Sequence, residues 1–412
     1  MTADRKNVKD NIFLAICIIG FFAILSTTLS KNPVLKLFVS FLETPATWTG
    51  IVASASTIPG ILVSLPAASL SDVFGRRKFL LISGIIFASA PFLYVFVNSW
   101  WQLIPVRFYH GFATAIFVPV AEASITELFP SKRGERLSLF SSATAVGRGL
   151  APFLGGYILY VTDYSYQTLY LAVGIAGVTA FATTLLFLAG KRETAPAPEL
   201  VYSEGGFRRM LQGWSGLFKH RSVMVVSFVQ AAQYYAYGVV EYFLSGYLKD
   251  NVLLDPFLIG TVMGSQIVAI IVARPFIGRA SDKFGRRTPI IAGSLVCGIA
   301  LLPISFISDF STILLLSVLY GLGFAAVTAS TSALVSELVR KELVGTSMGF
   351  LDTLMDVGQT IGLVISGFVF ATSLQYTGVF ASLTCILVFS CMIFMSSRTA
   401  NPHTNENSQS KV

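Results

Sequence analysis

The stretch Ser71–Lys78 reads S-D-V-F-G-R-R-K and sits as a charged knot between two long apolar runs. It returns at Ser281–Thr288 as S-D-K-F-G-R-R-T. Asp72 maps onto Asp282, Gly75 onto Gly285, and Arg76 and Arg77 onto Arg286 and Arg287, each at an offset of 210. Working outward, the same offset carries Gly50 to Gly260, Gly111 to Gly321, Glu127 to Glu337 and Leu128 to Leu338. The chain is therefore two similar halves in parallel order. Transporters use this plan, with the substrate site expected at the interface between halves.

The solvent of such a chain follows from its composition. Of 412 residues, 54% are hydrophobic and only 12% charged, against about 25% charged in a soluble domain. A surface this apolar belongs in a bilayer, where a helix needs about 20 apolar residues to cross. Twelve runs meet that length: 11–30, 47–70, 79–97, 100–127, 136–160, 166–189, 222–247, 256–279, 288–307, 310–336, 343–370 and 375–397. Twelve crossings put both termini on one side.

Lysine and arginine choose the side. Lys31, Lys36 and Lys249 fall opposite the termini, Arg107, Arg148 and Arg274 fall inside spans, and all the rest fall on the terminal side. The positive-inside rule makes that side cytoplasmic, and it accounts for the net charge of +8 without nucleic acid. The four cysteines lie inside apolar runs and the three histidines are scattered, so neither a disulfide framework nor a metal-ligand spacing is present. The first run lacks an A-x-A cleavage site and reads as a retained helix. Residues 190–221, with Pro196, Pro198, Arg208 and Arg209, read as a cytoplasmic linker between a first bundle (1–189) and a second (222–397). Within it Phe207–Phe218 suits a short amphipathic helix lying on the membrane. The tail 398–412 reads as disordered.

At this point the chain resembles the major facilitator superfamily over nearly its whole length. The loop signature of that family, G-x-x-x-D-R-x-G-R-R, fits Gly278–Arg287 with Lys283 at the first basic position, while the first copy carries Ala68 and Val73 in place of the glycine and arginine. The resemblance implies an all-α membrane protein of two pseudo-symmetric six-helix bundles, working by alternating access as a monomer in the cell membrane. The two knots then act as latches on the inner gate. Asp72, at the cytoplasmic end of span two, would meet the positive N-terminus of span eleven, and Arg76 would pair with Glu127. Asp282 and the pair Arg286–Glu337 repeat this in the second half. Positive-inside topology alone explains the arginines but not the acids at matched positions.

Span five carries Gly147-x-x-x-Ala151-Pro152-x-x-Gly155-Gly156, which resembles the antiporter motif G-x-x-x-G-P-x-x-G-G with Ala151 for one glycine. Small residues at helical spacing let helices approach closely, so a plain packing face is the competing reading. The span-eleven counterpart keeps Gly358, Gly362 and Gly367 without a proline, and the asymmetry favours the 12-span drug:proton antiporter group. In span four, Arg107-x-x-x-Gly111 resembles an R-x-x-x-G element to which the family gives a part in proton transfer.

Charges inside spans are costly and mark pathways. They are Arg107 and Glu122 in span four, Arg148 in span five, Glu241 in span seven, Arg274 in span eight, and Asp352 and Asp356 in span eleven. Spans three, six, nine and twelve carry none, as suits lipid-facing helices. Asp352 and Asp356 share a helix face and would titrate as a pair. A proton-coupling role for Asp356, with Arg148 as its counter-ion, stands against a structural ion pair. Glu122 is either a second proton site or a packing hydrogen bond. Gln230, Gln233, Tyr234, Tyr237 and Glu241 lie near one face of span seven, with His110 close by in span four. That face suits an amphiphilic or aromatic substrate or, equally, aromatic packing. Span one has no acid, so coupling must lie elsewhere or be absent.

The leading expectation is a proton-coupled exporter of small amphiphilic compounds. A transporter of an organic anion, gripped by Arg107 and Arg148, is the close rival. A membrane sensor ranks below both because the linker is too short for a signalling domain. No nucleophile–base pair or phosphate-binding loop appears, so neither an enzyme nor a cofactor is expected.

Overall fold

The structure, a computed structural model, describes residues 2–188, 220–339 and 344–397. The linker with its amphipathic segment Phe207–Phe218, the basic pair Arg340–Lys341 and the tail from residue 398 lie outside the described residues, as do the side chains of Ala68 and Val73.

Every long element is a helix. The first half contains α1 (Thr2–Leu29), α2 (Val34–Phe41), α3 (Ala46–Ser54), α4 (Ile58–Phe74), α5 (Arg76–Val95), α6 (Leu103–Leu128), α7 (Arg133–Val161) and α8 (Tyr166–Leu188). The second contains α9 (Arg221–Asp250), α10 (Pro256–Phe284), α11 (Arg287–Leu301), α12 (Phe310–Leu338), α13 (Val344–Phe370) and α14 (Gln375–Ser396). Eleven helical stretches among the described residues are long and apolar enough to cross a membrane. The twelfth crossing is α7, which is less apolar because it carries Arg133, Glu135 and Arg136 in its first turn and Arg148 midway. Helices satisfy every backbone group within one segment, which lipid demands. The result is an all-α, multi-pass membrane protein.

Two expected spans differ in shape from a single rod. Span one runs on past residue 30: after a turn it resumes as α2, and the apolar stretch reaches Phe41. Lys36 is therefore not a loop charge on the far side. It is 3% exposed, with its ammonium 5.8 Å and 5.9 Å from the ring centres of Tyr242 and Phe243. Span two is broken at residues 55–57 into α3 and α4. Pro59 has no N–H to offer the carbonyl of Ala55. The hydroxyls of Ser54 and Thr57 bond back to Ile51 O and Ser54 O, at 3.0 Å and 2.8 Å, and such bonds compete with the helical ladder.

The chain forms two compact units, Met1–Val201 with Glu241–Gly264, and Tyr202–Val240 with Ser265–Val412. The core of the first is built from Phe13 and Ile16 of α1, Phe87 of α5, Phe117 of α6 and Phe140 of α7. That of the second uses Val226 of α9, Ile290 of α11, Val327 of α12, Phe350 of α13 and Phe394 of α14. Helices α5, α8, α11 and α14, which carry no charge beyond the first turn, turn large apolar side chains outward, among them Ile85, Ile175, Ile299 and Phe389. In water such faces would aggregate; in lipid they are the ordinary surface.

Candidate functional site

The two knots have the same build. Gly75 ends α4 with φ 95°, and Gly285 stands between α10 and α11 with φ 85°. Both conformations favour glycine because a Cβ would clash with the backbone. This sharp turn brings the arginine back over the helix it has just left. In the first unit Arg76 pairs with Asp72 at 2.5 Å and donates from Nε to Glu127 at 2.8 Å. In the second, Arg286 pairs with Asp282 at 2.5 Å and donates from Nη2 to Glu337 at 2.7 Å. A serine accepts from Nη1 in each copy, Ser71 at 3.3 Å and Ser281 at 3.2 Å. Both carboxylates lie next to Arg286 and raise its pKa, against a burial effect that would lower it. Arg287 does something else: it donates to Met395 O at 2.6 Å and Ser397 O at 3.2 Å, closing the C-terminal carbonyls of α14 that have no helical partner. At Gly278 a Cβ would meet nothing within 4 Å, so alanine is sterically allowed at that motif position.

Arg107 is 2% exposed and clasps the break in span two. Its Nε donates to Val52 O at 2.8 Å, and its Nη2 donates to Ala53 O at 2.9 Å and Ser56 Oγ at 2.8 Å. The last carbonyls of a helix need such partners inside a membrane. A Cβ on Gly111 would overlap the Ser56 carbonyl, so glycine there lets α6 lie directly on the break. One turn along α6 from Arg107, His110 is 3% exposed and its Nδ1 stands 3.4 Å from the Tyr94 hydroxyl. Tyr94 stacks on Tyr170 at 4.3 Å and 9°. The second half keeps the glycine, Gly321 against Gln266 O at 2.6 Å, but not the arginine. Ser317 stands at the Arg107 position, Gln266 at that of Ser56 and Ala269 at that of Pro59, and α10 is unbroken.

The small-residue face of α7 is filled by backbone at Gly147 and Gly156 and by side chains at Gly155. A Cβ on Gly147 would lie 2.5 Å from Phe21 O of α1. One on Gly155 would press Leu29, Pro33 and Val34 at 3.1–3.4 Å, and one on Gly156 would overlap the Pro256 carbonyl. Gly260 in turn faces the Pro152 carbonyl, and Ala151 is fully buried. This packing ties Glu241–Gly264 into the first unit.

In the second unit the polar face of α9 turns inward. Gln230 and Gln233 are 1% and 0% exposed. Thr331 of α12 donates to Gln230 Oε1, whose amide in turn reaches Met355 Sδ of α13 at 3.4 Å. Gln233 donates to Ser294 of α11 at 3.4 Å. Tyr234 and Tyr237 pack on Phe324, the latter stacked at 4.7 Å and 24°. These four side chains, read from sequence as cavity-lining, thus bind α9 to its neighbours. Asp352 is exposed and Asp356 half-buried on α13. Glu122, Arg148 and Arg274 are exposed and Glu241 half-buried. Arg148 makes no hydrogen bond or ion pair among the described residues.

Two features escaped the sequence. Arg136 lies between the rings of Phe13 and Phe129, 4.7 Å and 4.5 Å from their centres, and pairs with Asp10 at 2.8 Å. No counterpart exists at the offset of 210, where Thr346 and His220 stand. A cavity of about 290 Å³ opens between the start of α9 and the end of α14, lined by Arg221, Ser222, Val225, Ser396 and Ser397. It contains none of the expected site residues.

Twelve membrane helices in two related sets, with matched ionic knots, define a multi-pass membrane protein built on the repeated plan that transporters use. The family comparison agrees: the chain belongs to the Major Facilitator Superfamily, whose description matches residues 12–244 and 226–411. Relatives include the multi-drug resistance efflux pump PmrA of Streptococcus pneumoniae, 25% identical over 94% of this chain and 95% of that one. The multidrug resistance protein MdtG of Proteus mirabilis is 24% identical, over 87% and 88%. Among solved structures, a bacterial homolog of the human lysosomal transporter Spinster, inward-facing and unoccupied, superposes with a TM-score of 0.77 at 14% identity over 94% and 96% of the chains. The nucleoside transporter NupG gives 0.76 at 15%, over 95% and 100%. At these identities the structures share the fold alone.

Proposed function

We propose that this chain is a proton-coupled exporter of small amphiphilic compounds, working by alternating access in the cell membrane with both termini cytoplasmic. The observation that carries the reading is the α7 face. Gly147 and Gly156 admit backbone and no Cβ, and Gly155 lies close under the side chains of Leu29, Pro33 and Val34, in the pattern that resembles the antiporter motif. Relatives named multidrug efflux pumps, matched over 94% of the chain, support it. The knots serve as inner-gate latches in this reading, and Asp356, with Asp352 one turn before it, carries the proton. Reconstituted protein with an imposed pH gradient should drive uptake of lipophilic cations into proteoliposomes. Asp356→Asn should abolish the gradient-driven component while facilitated exchange persists. Unchanged gradient-driven flux in that variant would remove Asp356 from the mechanism, and no flux across a broad panel would remove the exporter.

The rival reading, an organic anion or metabolite, is favoured by one observation, the fully buried Arg107. Substrate-induced proton release from purified protein, with carboxylates set against lipophilic cations, separates the two.

A further inference from the structure

Arg107 is a buried cation whose hydrogen-bond partners are all neutral. It makes no ion pair among the described residues, and its three strong hydrogen bonds go to two carbonyls and a hydroxyl. A guanidinium cannot give up its proton to escape this, and buried charges as a rule are paired. Its Nη1 carries two N–H groups; the Tyr94 hydroxyl beside the guanidinium can accept one of them, and the other is left without an acceptor. His110 has the same deficit on Nε2. If the Tyr94 hydroxyl donates to His110 Nδ1, then Nε2 bears the hydrogen and is a donor with nothing to receive it. The charges of Arg107 and Lys31 both reach that ring. The charge of Arg107 also reaches the phenols of Tyr94, Tyr170 and Tyr242. The neighbourhood is thus rich in donors and positive charge at a depth where water is scarce.

We propose that the first unit holds an anion-binding site in which Arg107 Nη1 and His110 Nε2 grip one small monoanion. The fitting chemistry is a compact acceptor with a single negative charge: a halide, nitrate or a carboxylate. A carboxylate belongs to a transported solute, whereas an inorganic ion is a resident counter-charge. The site goes beyond the exporter reading and assumes no direction of transport.

The test is anion-dependent thermal unfolding of the full-length protein in detergent. Chloride, nitrate, acetate and benzoate are each titrated against a bulky sulfonate salt at constant ionic strength. A saturable rise in the midpoint is expected with at least one of them, as for any ligand that binds the folded state. His110→Phe keeps the ring packing and leaves the Arg107 clasp intact. It should weaken apparent affinity about tenfold, or about 1.4 kcal/mol, as for one hydrogen bond to a charged group. Arg107→Gln should remove the effect. Should Arg107→Gln fail to fold, His110→Phe decides alone. Saturation by carboxylates only assigns the site to a solute, and saturation by chloride and nitrate as well assigns it to a counter-ion; either supports the site. A shift that never saturates, or equal affinity in His110→Phe, overturns it. Because the readout is binding, loss of flux with binding intact sinks the exporter alone, and the converse sinks the anion site alone.

Discussion

At the scale of single residues, the knots depend on two glycines whose backbone no other side chain accepts at low cost. Gly75 stands at φ 95° and ψ 127°, so Gly75→Ala should destabilise the protein by about 1–3 kcal/mol. The check is the unfolding midpoint of purified protein beside that of wild type. The space around Gly285 is open, so the cost of Gly285→Ala is local backbone strain with no clash against other residues. Much at this scale was legible. The latch implied by the resemblance paired Arg76 with Glu127, the offset carried that pair to Arg286 and Glu337, and both pairs are in contact. Arg136 between two phenylalanines was not legible, because Phe13 and Asp10 are brought to it from the start of the chain while Phe129 lies just before its helix. Lys36 was misplaced for a related reason. Its flanks V-L and L-F-V announce burial, but the charge rule counts any lysine between spans as a loop residue.

Elements show where local chemistry overrides periodicity. Hydropathy drew span two as one run, yet Pro59 and the serine and threonine hydroxyls break it, and Arg107 from another helix holds the break. On α7, Gly156→Val should cost about 1–3 kcal/mol through overpacking against the Pro256 carbonyl. The same change at Gly278, where no atom lies within 4 Å, should stay within about 0.5 kcal/mol. Paired thermal melts test the contrast. The cap of α12 gives a pH dependence. Asp309 accepts from the Thr312 backbone N–H at 2.8 Å and hydroxyl at 2.7 Å, and these bonds hold its carboxyl below the ordinary value. A depressed folded pKa stabilises at pH above the unfolded value of about 3.9 and loses that contribution as pH falls through the folded value. The melting difference between wild type and Asp309→Asn should therefore be full at neutral pH and shrink below about pH 3.9. A difference independent of pH would show that the carboxylate contributes nothing as a charge.

For the whole molecule, the basic loops predict the sidedness. In a background with Cys17, Cys297, Cys385 and Cys391 replaced, Asn98→Cys should react with an impermeant maleimide in intact cells. Ser131→Cys should react only after permeabilisation. Both positions are exposed at helix ends, and the reverse pattern would invert the topology. By itself the sequence determined the solvent, the number of crossings and the twofold repeat, because these are properties of composition and periodicity that any conformation must respect; the likeness to the family rested on the motifs at Gly278–Arg287 and Gly147–Gly156. Only the tertiary structure decided that Gln230 and Gln233 hydrogen-bond to the neighbouring helices, that residues 241–264 join the first unit, and that Arg107 is buried with donors to spare. Those facts depend on which helix lies beside which, and contact between segments far apart in the chain leaves no mark in the pattern of either one.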